Sequence, residues 1–251
     1  MLLTPKPGVI YGPVSSRRLG RSLGINLLPP NEKPCTFDCV YCQYGWTKRG
    51  PMPSAFPTVE QVLLKVESAL MDPLLSFEFV TFSGNGEPTT HLQFPEIVQG
   101  VVRLRDRHAP SVKTAVLSNS TRVHDPAIRS ALTRLDRRIL KLDAGTEEVF
   151  QRTNRPVDPM TLAQILDGLR QIPAITIQTL FAAGREGNAD AAHIEAWIEQ
   201  LVPLRPVAVQ LYTLDRDWPS ANLRPIEPAA LDCIAVALHA RGCPAEVFIR
   251  S

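Results

Sequence analysis

Three cysteines in the first fifth of the chain are the residues best suited to chemistry. Cys35, Cys39 and Cys42 follow the spacing C-x3-C-x2-C within one short segment, residues 35–42, called here the Cys loop. A four-iron four-sulfur cluster is usually held by four cysteines, so three thiolates without a nearby fourth leave one iron with an open coordination position. Because an open iron can bind and activate a second molecule, the spacing predicts a chemically active 4Fe-4S cluster.

A zinc site is the alternative for the same cysteines. Structural zinc sites usually combine two Cys or Cys/His pairs, and only His91 lies within fifty residues after Cys42. The five cysteines of the chain are an odd number with three in one loop, which argues against a secreted disulfide framework. Cys233 and Cys243 could pair or bind something, but we expect both to be small buried apolar residues.

The Cys loop resembles the hallmark of the radical S-adenosylmethionine (SAM) enzymes, in which an aromatic residue, here Tyr41, precedes the third cysteine. The resemblance implies that the open iron chelates the amino and carboxylate groups of SAM. It further implies that an electron from the cluster cleaves a carbon–sulfur bond to give a carbon radical. The cofactors would be the 4Fe-4S cluster and SAM, while the protein supplies orientation and excludes water.

Length and composition are those of a globular enzyme. The 251 residues carry a net charge of +2, with 44% hydrophobic and 21% charged residues, which excludes a disordered or strongly basic chain. We expect one domain, residues 1–251, with a short N-terminal arm of about residues 1–21. No apolar run reaches the length of a membrane span and the start does not read as a signal peptide, so we expect a cytoplasmic protein.

Strand and helix patterns alternate along the chain. Strands are expected over residues 22–28, 77–82, 113–117, 138–142, 174–181, 207–212 and 246–250. Helices are expected from residue 59, where Thr58 and Gln61 fit a capping box, and over 94–107, 125–135, 158–172, 189–201 and 228–241. Six βα units predict a parallel sheet with right-handed crossovers, and hence an α/β fold with a partial (β/α)6 TIM-like barrel. The radical SAM resemblance implies the same fold.

Polar and glycine residues follow several of these strands, at the edge where ligands gather in parallel sheets. Residues 83–90, called here the Gly-rich turn, resemble the Gly-Gly-Glu segment that binds the SAM ammonium group in the superfamily, with Asn85 as a departure from the usual form. A plain tight turn is the alternative. The resemblance and the position imply a SAM site at Tyr41, Ser83, Gly84, Asn85, Gly86, Glu87, Ser118, Asn119, Lys141 and Asp143.

Two of these assignments have structural alternatives. Ser118 and Asn119 could bind the ribose or carboxylate of SAM, or could simply cap a turn. Lys141 and Asp143 share a strand face, so they could bind a ligand or form a salt bridge with each other.

The first fifth of the chain is basic, with seven Lys or Arg and two Asp or Glu among residues 1–50. Such a patch could attract an anionic substrate, an acidic electron donor such as flavodoxin or ferredoxin, or tRNA, and an ordinary solvated face is the alternative. The pair Arg17 and Arg18 suits bidentate contacts to phosphate or carboxylate. The residues predicted to contact substrate are Arg17, Arg18, Asn26, Gln210 and Tyr212.

Four segments resemble a branch that is similar to the wyosine-type tRNA-modifying enzymes. They begin at Tyr11, Cys35, Phe82 and Gln210, and the similarity covers nearly the whole chain. The wyosine synthases carry a second cluster on cysteines upstream of the radical SAM loop, whereas this chain has no cysteine before Cys35.

The favoured function is therefore a radical SAM enzyme that modifies a small anionic molecule. The alternatives are a tRNA-modifying enzyme, a glycyl-radical activating enzyme with a protein partner, and a non-catalytic electron carrier or zinc module.

Overall fold

A computed structural model of the chain describes residues 1–48, 50 and 55–249. Its strands are β1 (Ile10–Ser16), β2 (Gly20–Ile25), β3 (Phe79–Phe82), β4 (Lys113–Ser118), β5 (Arg137–Lys141), β6 (Thr176–Ala183), β7 (Ala208–Thr213), β8 (Arg224–Pro225) and β9 (Ala245–Phe248). Its α-helices are α1 (Val59–Leu70), α2 (Phe94–His108), α3 (Pro126–Thr133), α4 (Glu147–Thr153), α5 (Leu162–Leu169), α6 (Ala191–Leu201) and α7 (Pro228–His239). Short 3₁₀ turns occupy Pro88–Thr90 and Val202–Leu204.

One sheet connects most of the strands in the order β1-β2-β3-β4-β5-β6-β7-β9. Neighbouring strands from β2 to β7 are parallel, as are β7 and β9, and at least one helix lies between each pair of successive strands from β2 to β7. The predicted partial (β/α)6 barrel is therefore confirmed. In the described part of the chain β1 and β9 do not pair with each other, so the barrel is open along one side.

Capping residues mark the starts of two helices, and the sequence predicted the first of them. Thr58 caps α1 and forms a capping box with Gln61, as expected from the sequence. A second capping box joins Thr161 and Gln164, so α5 begins at Leu162 rather than at residue 158 as predicted. Helix α4 was not predicted, because its seven residues are too few to show a clear apolar period.

The N-terminal arm was predicted without any strand, but it contains β1, which pairs antiparallel with β2. Gly12 and Pro13 interrupt its pattern, and the register shifts between Tyr11 and Val14. The Tyr11 ring lies across Gly24 of β2, where an added Cβ would come within 2.1 Å of the ring. A glycine at this position of β2 therefore lets the hairpin close.

The turn of this hairpin enters the barrel and contributes one side chain to its interior. Leu19, which is 7% exposed, packs against Ala115 and Ile139 in a small cluster separate from the main helix–sheet core. Ile139 pairs in register with Leu117, which lines the cavity described below, so this cluster lies on the barrel side of the sheet. The arm thus contributes a core residue to the barrel interior.

The two cysteines near the C-terminus differ in burial. Cys243 is buried as predicted, but the prediction is wrong for Cys233, which is exposed on α7, and all five cysteines are free thiols. The predicted last strand included Arg250, which lies outside the described residues, as does Arg49 of the basic segment. Over residues 1–48, 50 and 55–249 there is no helix with the length and apolar character needed to cross a membrane.

Candidate functional site

A cavity of about 360 Å³ opens at the carboxyl edge of the parallel strands. It is lined by the Cys loop, the Gly-rich turn, the ends of β4 to β7 and the turn between β1 and β2. Of the residues predicted for cluster and SAM, those that line it are Cys35, Cys39, Cys42, Tyr41, Gly84, Gly86, Glu87, Ser118, Asn119 and Lys141. Of those predicted for substrate, Arg17, Arg18 and Tyr212 line it.

Five predicted site residues lie outside the cavity lining. Asn26 and Asn85 are buried and bind the chain itself: Asn85 Nδ2 donates to Lys6 O at 2.8 Å, and Asn26 Nδ2 donates to Leu28 O at 2.9 Å. The Ser83 hydroxyl lies 2.6 Å from that of Tyr11. These three residues join loops to the sheet.

The other two, Asp143 and Gln210, are buried beside cavity-lining residues. Asp143 belongs to a buried network described below. Gln210 is 7% exposed, pairs in register with Gln178, and its Oε1 has no hydrogen-bond partner among the described residues.

The Cys loop is held in place by the C-terminal part of helix α4. The backbone N–H of Val40 donates to Thr153 O at 3.1 Å, and that of Asp38 donates to Asn154 O at 3.1 Å. Phe37 is buried against Phe150 of the same helix, edge to face at 5.5 Å between ring centroids. The unpredicted helix α4 is therefore the support on which the three cysteines rest.

Burial strongly affects the cysteine thiols. It raises the pKa of Cys35 to about 12 and that of Cys39 to about 11, and the nearby cations Lys33 and Lys141, respectively, oppose this rise. The thiols would therefore be protonated at neutral pH unless a metal centre displaces the protons. Three free thiols around one cavity are a donor set that suits an iron–sulfur cluster.

The described residues include no group of three His, Cys, Asp or Glu side chains suited to binding a single metal ion. The ligands of a four-iron cluster do not have to meet at a single metal ion, because each thiolate binds a different iron atom.

A buried polar network lies beside Cys39. The Tyr41 hydroxyl donates to Asp143, Lys141 Nζ lies 3.4 Å from the same carboxylate, and Asn154 Nδ2 donates to it at 2.8 Å. Burial raises the pKa of Tyr41, and Asp143 adds to this effect. Burial lowers the pKa of Lys141, but Asp143, Tyr212 and Cys39 together outweigh burial and keep its pKa above the usual value. The salt bridge that was one of the two sequence alternatives is thus present, with Lys141 on the cavity side.

Glu87 organises the Gly-rich turn. Its carboxylate accepts hydrogen bonds from Ser118 Oγ at 2.8 Å, from the Asn119 backbone N–H at 2.6 Å, and from the hydroxyl and backbone N–H of Thr89. Burial raises the pKa of Glu87, although these hydrogen bonds partly offset the rise. The carboxylate therefore ties the turn to the end of β4.

Gly86 packs tightly against the start of the Cys loop. An added Cβ would lie 1.9 Å from Pro34 O, and the neighbouring Glu87 N–H donates to the same oxygen at 3.2 Å. A glycine is therefore required here, which fixes the Gly-rich turn relative to Cys35.

The two arginines of the hairpin turn have different partners. Arg17 forms an ion pair with Asp215, which follows β7. Arg18 donates to Gln178 Oε1 at 2.6 Å, and its guanidinium carbon lies 5.3 Å from the centre of the Tyr212 ring. Within the described part of the chain no carboxylate lies within ion-pairing distance of Arg18. It therefore offers the cavity a positively charged guanidinium that forms no ion pair with a carboxylate of the described residues.

Gln178 and Asn154 were not predicted from the sequence as site residues. Gln178 carries the one amide side chain of the predicted strand 174–181, which was a usable signal. In the structure Gln178 and its alternate neighbour Leu180 both line the cavity. Asn154 follows an unpredicted helix and is brought to the Cys loop only by the fold.

The chain forms a partial parallel barrel, and its polar side chains gather at the carboxyl edge of the strands. This arrangement is typical of α/β-barrel enzymes. Residues 34–199 match the family model described as the radical SAM superfamily, and the chain belongs to this superfamily. Its members are enzymes that use a 4Fe-4S cluster and SAM.

Known proteins resemble the chain over most of its length. A UPF0026 protein of Helicobacter pylori (strain ATCC 700392 / 26695) is 30% identical over 216 residues, covering 84% of this chain and 67% of the relative. A radical SAM methyltransferase of Sphaerobacter thermophilus superimposes with a TM-score of 0.67 at 16% identity, over 90% of this chain and 65% of the other. TYW1 with a lysine-pyruvate adduct bound gives a TM-score of 0.63 at 16% identity, over 89% and 75%. At these identities the structural matches establish the fold alone.

Proposed function

We propose that this radical SAM enzyme holds its cluster on Cys35, Cys39 and Cys42, binds SAM beside the cluster, and modifies a small anionic substrate held by Arg18. One observation carries the proposal: the three thiols and the Arg18 guanidinium line the same cavity of about 360 Å³. That volume falls within the range of small-molecule sites, about 300–1,000 Å³. When bound, the cluster supplies an open iron position for the methionine end of SAM and the electron that cleaves a carbon–sulfur bond.

The Gly-rich turn is the part of the chain best placed to hold SAM. Gly84 and Gly86 line the cavity with no side chain of their own, so their backbone groups can approach a ligand closely. The carboxylate oxygens of Glu87 accept hydrogen bonds from Thr89, Ser118 and Asn119. The role of Glu87 is therefore to position the turn rather than to contact the ligand.

Arg18 is the residue that selects an anionic substrate. Its guanidinium is oriented by Gln178 on one side and by the face of Tyr212 on the other, which leaves a rigid, charged group for a carboxylate or phosphate. Arg17 is already paired with Asp215 and contributes mainly to holding the hairpin turn. Leu117 and Leu180 make part of the cavity wall apolar.

The first test is SAM cleavage by the full chain. The protein is reconstituted with iron and sulfide without oxygen, reduced with dithionite and mixed with SAM, and nucleoside products are separated by chromatography. The expected result is 5′-deoxyadenosine or methylthioadenosine, depending on the bond that breaks. A protein with a complete cluster that yields neither product, or one that retains tightly bound zinc instead of iron, would refute the proposal.

The second test addresses the anionic substrate. Malonate, succinate and glycerol 3-phosphate are added singly, and stabilisation of the SAM-bound protein is followed by its melting temperature. At least one anion should stabilise the wild type, and Arg18→Ala should remove this response. Arg21→Ala is the matched control, because Arg21 is an exposed arginine of the same hairpin that does not line the cavity. An equal response of the two variants would show that general surface charge, not Arg18, binds the anion.

A tRNA substrate is the second candidate, favoured by the basic segment 1–50, in which Arg17, Arg21 and Lys48 are exposed. Association with tRNA would weaken steeply with salt, by about 0.7–0.9 in log K per log unit of salt for each neutralised phosphate. A flat salt response in a filter-binding assay would remove this candidate. The same segment would also attract an acidic electron donor such as flavodoxin or ferredoxin to the Cys loop.

A further inference from the structure

Two asparagine side chains lie against two of the three cysteines. Asn119 Nδ2 is 3.7 Å from Cys35 Sγ, and Asn154 Nδ2 is 3.7 Å from Cys39 Sγ. Both asparagines are buried, at 8% and 2% exposure, and they come from different parts of the fold, the end of β4 and the end of α4. Two separate elements thus bring an amide N–H group to the sulfur atoms.

The orientation of each amide is fixed by its other contacts. Asn119 Oδ1 accepts hydrogen bonds from the backbone N–H of Thr121 at 3.0 Å and from its hydroxyl at 2.8 Å, so the oxygen is used and the nitrogen faces Cys35. Asn154 Nδ2 donates to Asp143 Oδ2 at 2.8 Å, an atom that accepts hydrogen bonds, so this end of the amide must also be the nitrogen. Neither amide can flip without losing these bonds.

We propose that Asn119 and Asn154 are positioning residues that make the cluster easier to reduce, an inference that rests on the proposed function. Reduction adds one electron from an external donor, and part of the added negative charge falls on the ligand sulfurs. An N–H donor stabilises the more negative state, so hydrogen bonds to the sulfurs raise the reduction potential. No proton has to move in this step.

Lys141 would favour reduction in the same way, but its charge is already balanced locally. Its Nζ lies 3.4 Å from Asp143 Oδ2 and 3.1 Å from the Tyr41 hydroxyl. The two amides touch the sulfurs directly and carry no opposing charge. The two amides are therefore the groups through which the protein raises the reduction potential of the cluster, each acting on one cysteine sulfur.

The test compares the variants Asn119→Ala and Asn154→Ala with one control each. Thr121→Val removes the hydroxyl that donates to Asn119 Oδ1, and Thr153→Val removes the hydroxyl beside Asn154 that donates to Glu186 O. Within the described residues, neither hydroxyl hydrogen-bonds to an asparagine Nδ2 or to a cysteine Sγ. Each full-length protein is reconstituted without oxygen, and its midpoint potential is measured in the absence of SAM by a dithionite titration followed by electron paramagnetic resonance.

At a fixed solution potential, each asparagine variant should show about a tenfold lower ratio of reduced to oxidised cluster, which corresponds to a shift of about 59 mV for a one-electron couple. Each control should change this ratio less than twofold. The double variant should show the sum of the two shifts, because the amides contact different sulfurs.

Three results would overturn the inference while leaving the proposed function intact. They are asparagine variants with the wild-type potential, controls that shift as far as the variants, and loss of the cluster from both asparagine variants while both controls keep it. The last result would mean that the asparagines hold the Cys loop in place rather than adjust the potential. Failure of the wild type itself to take up a cluster would refute the proposed function and the inference together.

Discussion

The contact between Gly86 and Pro34 gives a sharp prediction about the Gly-rich turn and the Cys loop. Gly86 has φ +152°, and an added Cβ would lie 1.9 Å from Pro34 O, where real contacts are essentially never closer than 3.0 Å. The atom in the way belongs to the backbone immediately before Cys35, so no flexible side chain can yield. Gly86→Ala must therefore displace the start of the Cys loop by about 1 Å, a distance implied by these two values.

The cost of this substitution has two parts. Overpacking of a well-packed interior costs about 1–3 kcal/mol, and a side chain in this region of φ costs about 1–3 kcal/mol more. The expected loss in the free energy of unfolding is therefore about 2–6 kcal/mol, a large fraction of the 5–15 kcal/mol that is typical of proteins. Gly50→Ala is the matched control: Gly50 has a similar φ of +157°, but an added Cβ meets no atom of the described residues within 4 Å. The control should show only the conformational part.

The assay combines urea unfolding of the cluster-free protein with iron determination after anaerobic reconstitution. Gly86→Ala should unfold at a lower urea concentration and should take up little iron, whereas Gly50→Ala should lose less stability and take up iron normally. If the two variants lose the same stability, the collision with Pro34 contributes nothing and the argument is refuted. If Gly86→Ala loses stability but binds iron fully, the turn does not position Cys35.

Three further predictions concern the site. Alanine in place of any of the three cysteines of the Cys loop should abolish iron uptake and SAM cleavage, whereas Cys233→Ala should leave iron uptake, measured per protein, unchanged. Asp143→Ala would leave Lys141, whose side chain is 14% exposed at the cavity, without its acidic partner and should lower the free energy of unfolding in urea by up to about 3–5 kcal/mol, with Asp143→Asn losing less. Because burial raises the pKa of Glu87, the folded state binds more protons, so its contribution to stability should fall as pH rises from about 4.3, the usual glutamate pKa, through the folded pKa. Urea unfolding across this pH range should show a steeper decline for the wild type than for Glu87→Gln, and parallel curves would contradict the assignment.

The sequence predicted those parts of the fold and site that depend on residues close together in the chain. The strand–helix alternation gave six parallel strands, and the capping box at Thr58 placed the start of α1 correctly. The spacing of the cysteines identified the loop that lines the cavity, since all its ligand candidates lie within a few residues. In each case the signal spans no more than one element.

The parts that escaped prediction depend on contacts between distant residues. Strand β1 is held by pairing with β2, and the interruption at Pro13 hides its pattern. Leu19 becomes a core residue only because the hairpin turn enters the barrel. Asn154 contacts Cys39 across 115 positions of sequence, through a helix too short to be recognised from its apolar period. No local pattern carries such information.

Hydrogen-bond partners separate ligand-facing residues from supporting ones better than residue type does. Asn26 was predicted to contact substrate and Asn85 to contact SAM, but their amide groups are occupied by backbone partners. Arg17 and Arg18 are adjacent and identical in type, yet Arg17 is paired with Asp215 whereas Arg18 has no acidic partner among the described residues. A buried or half-buried polar group whose capacity the protein does not use is the group that a ligand can satisfy without a competing loss. This criterion is the basis for proposing Arg18 as the residue that binds a substrate anion, and it assigns Asn26 and Asn85 to holding the loops that position the Cys loop and the Gly-rich turn.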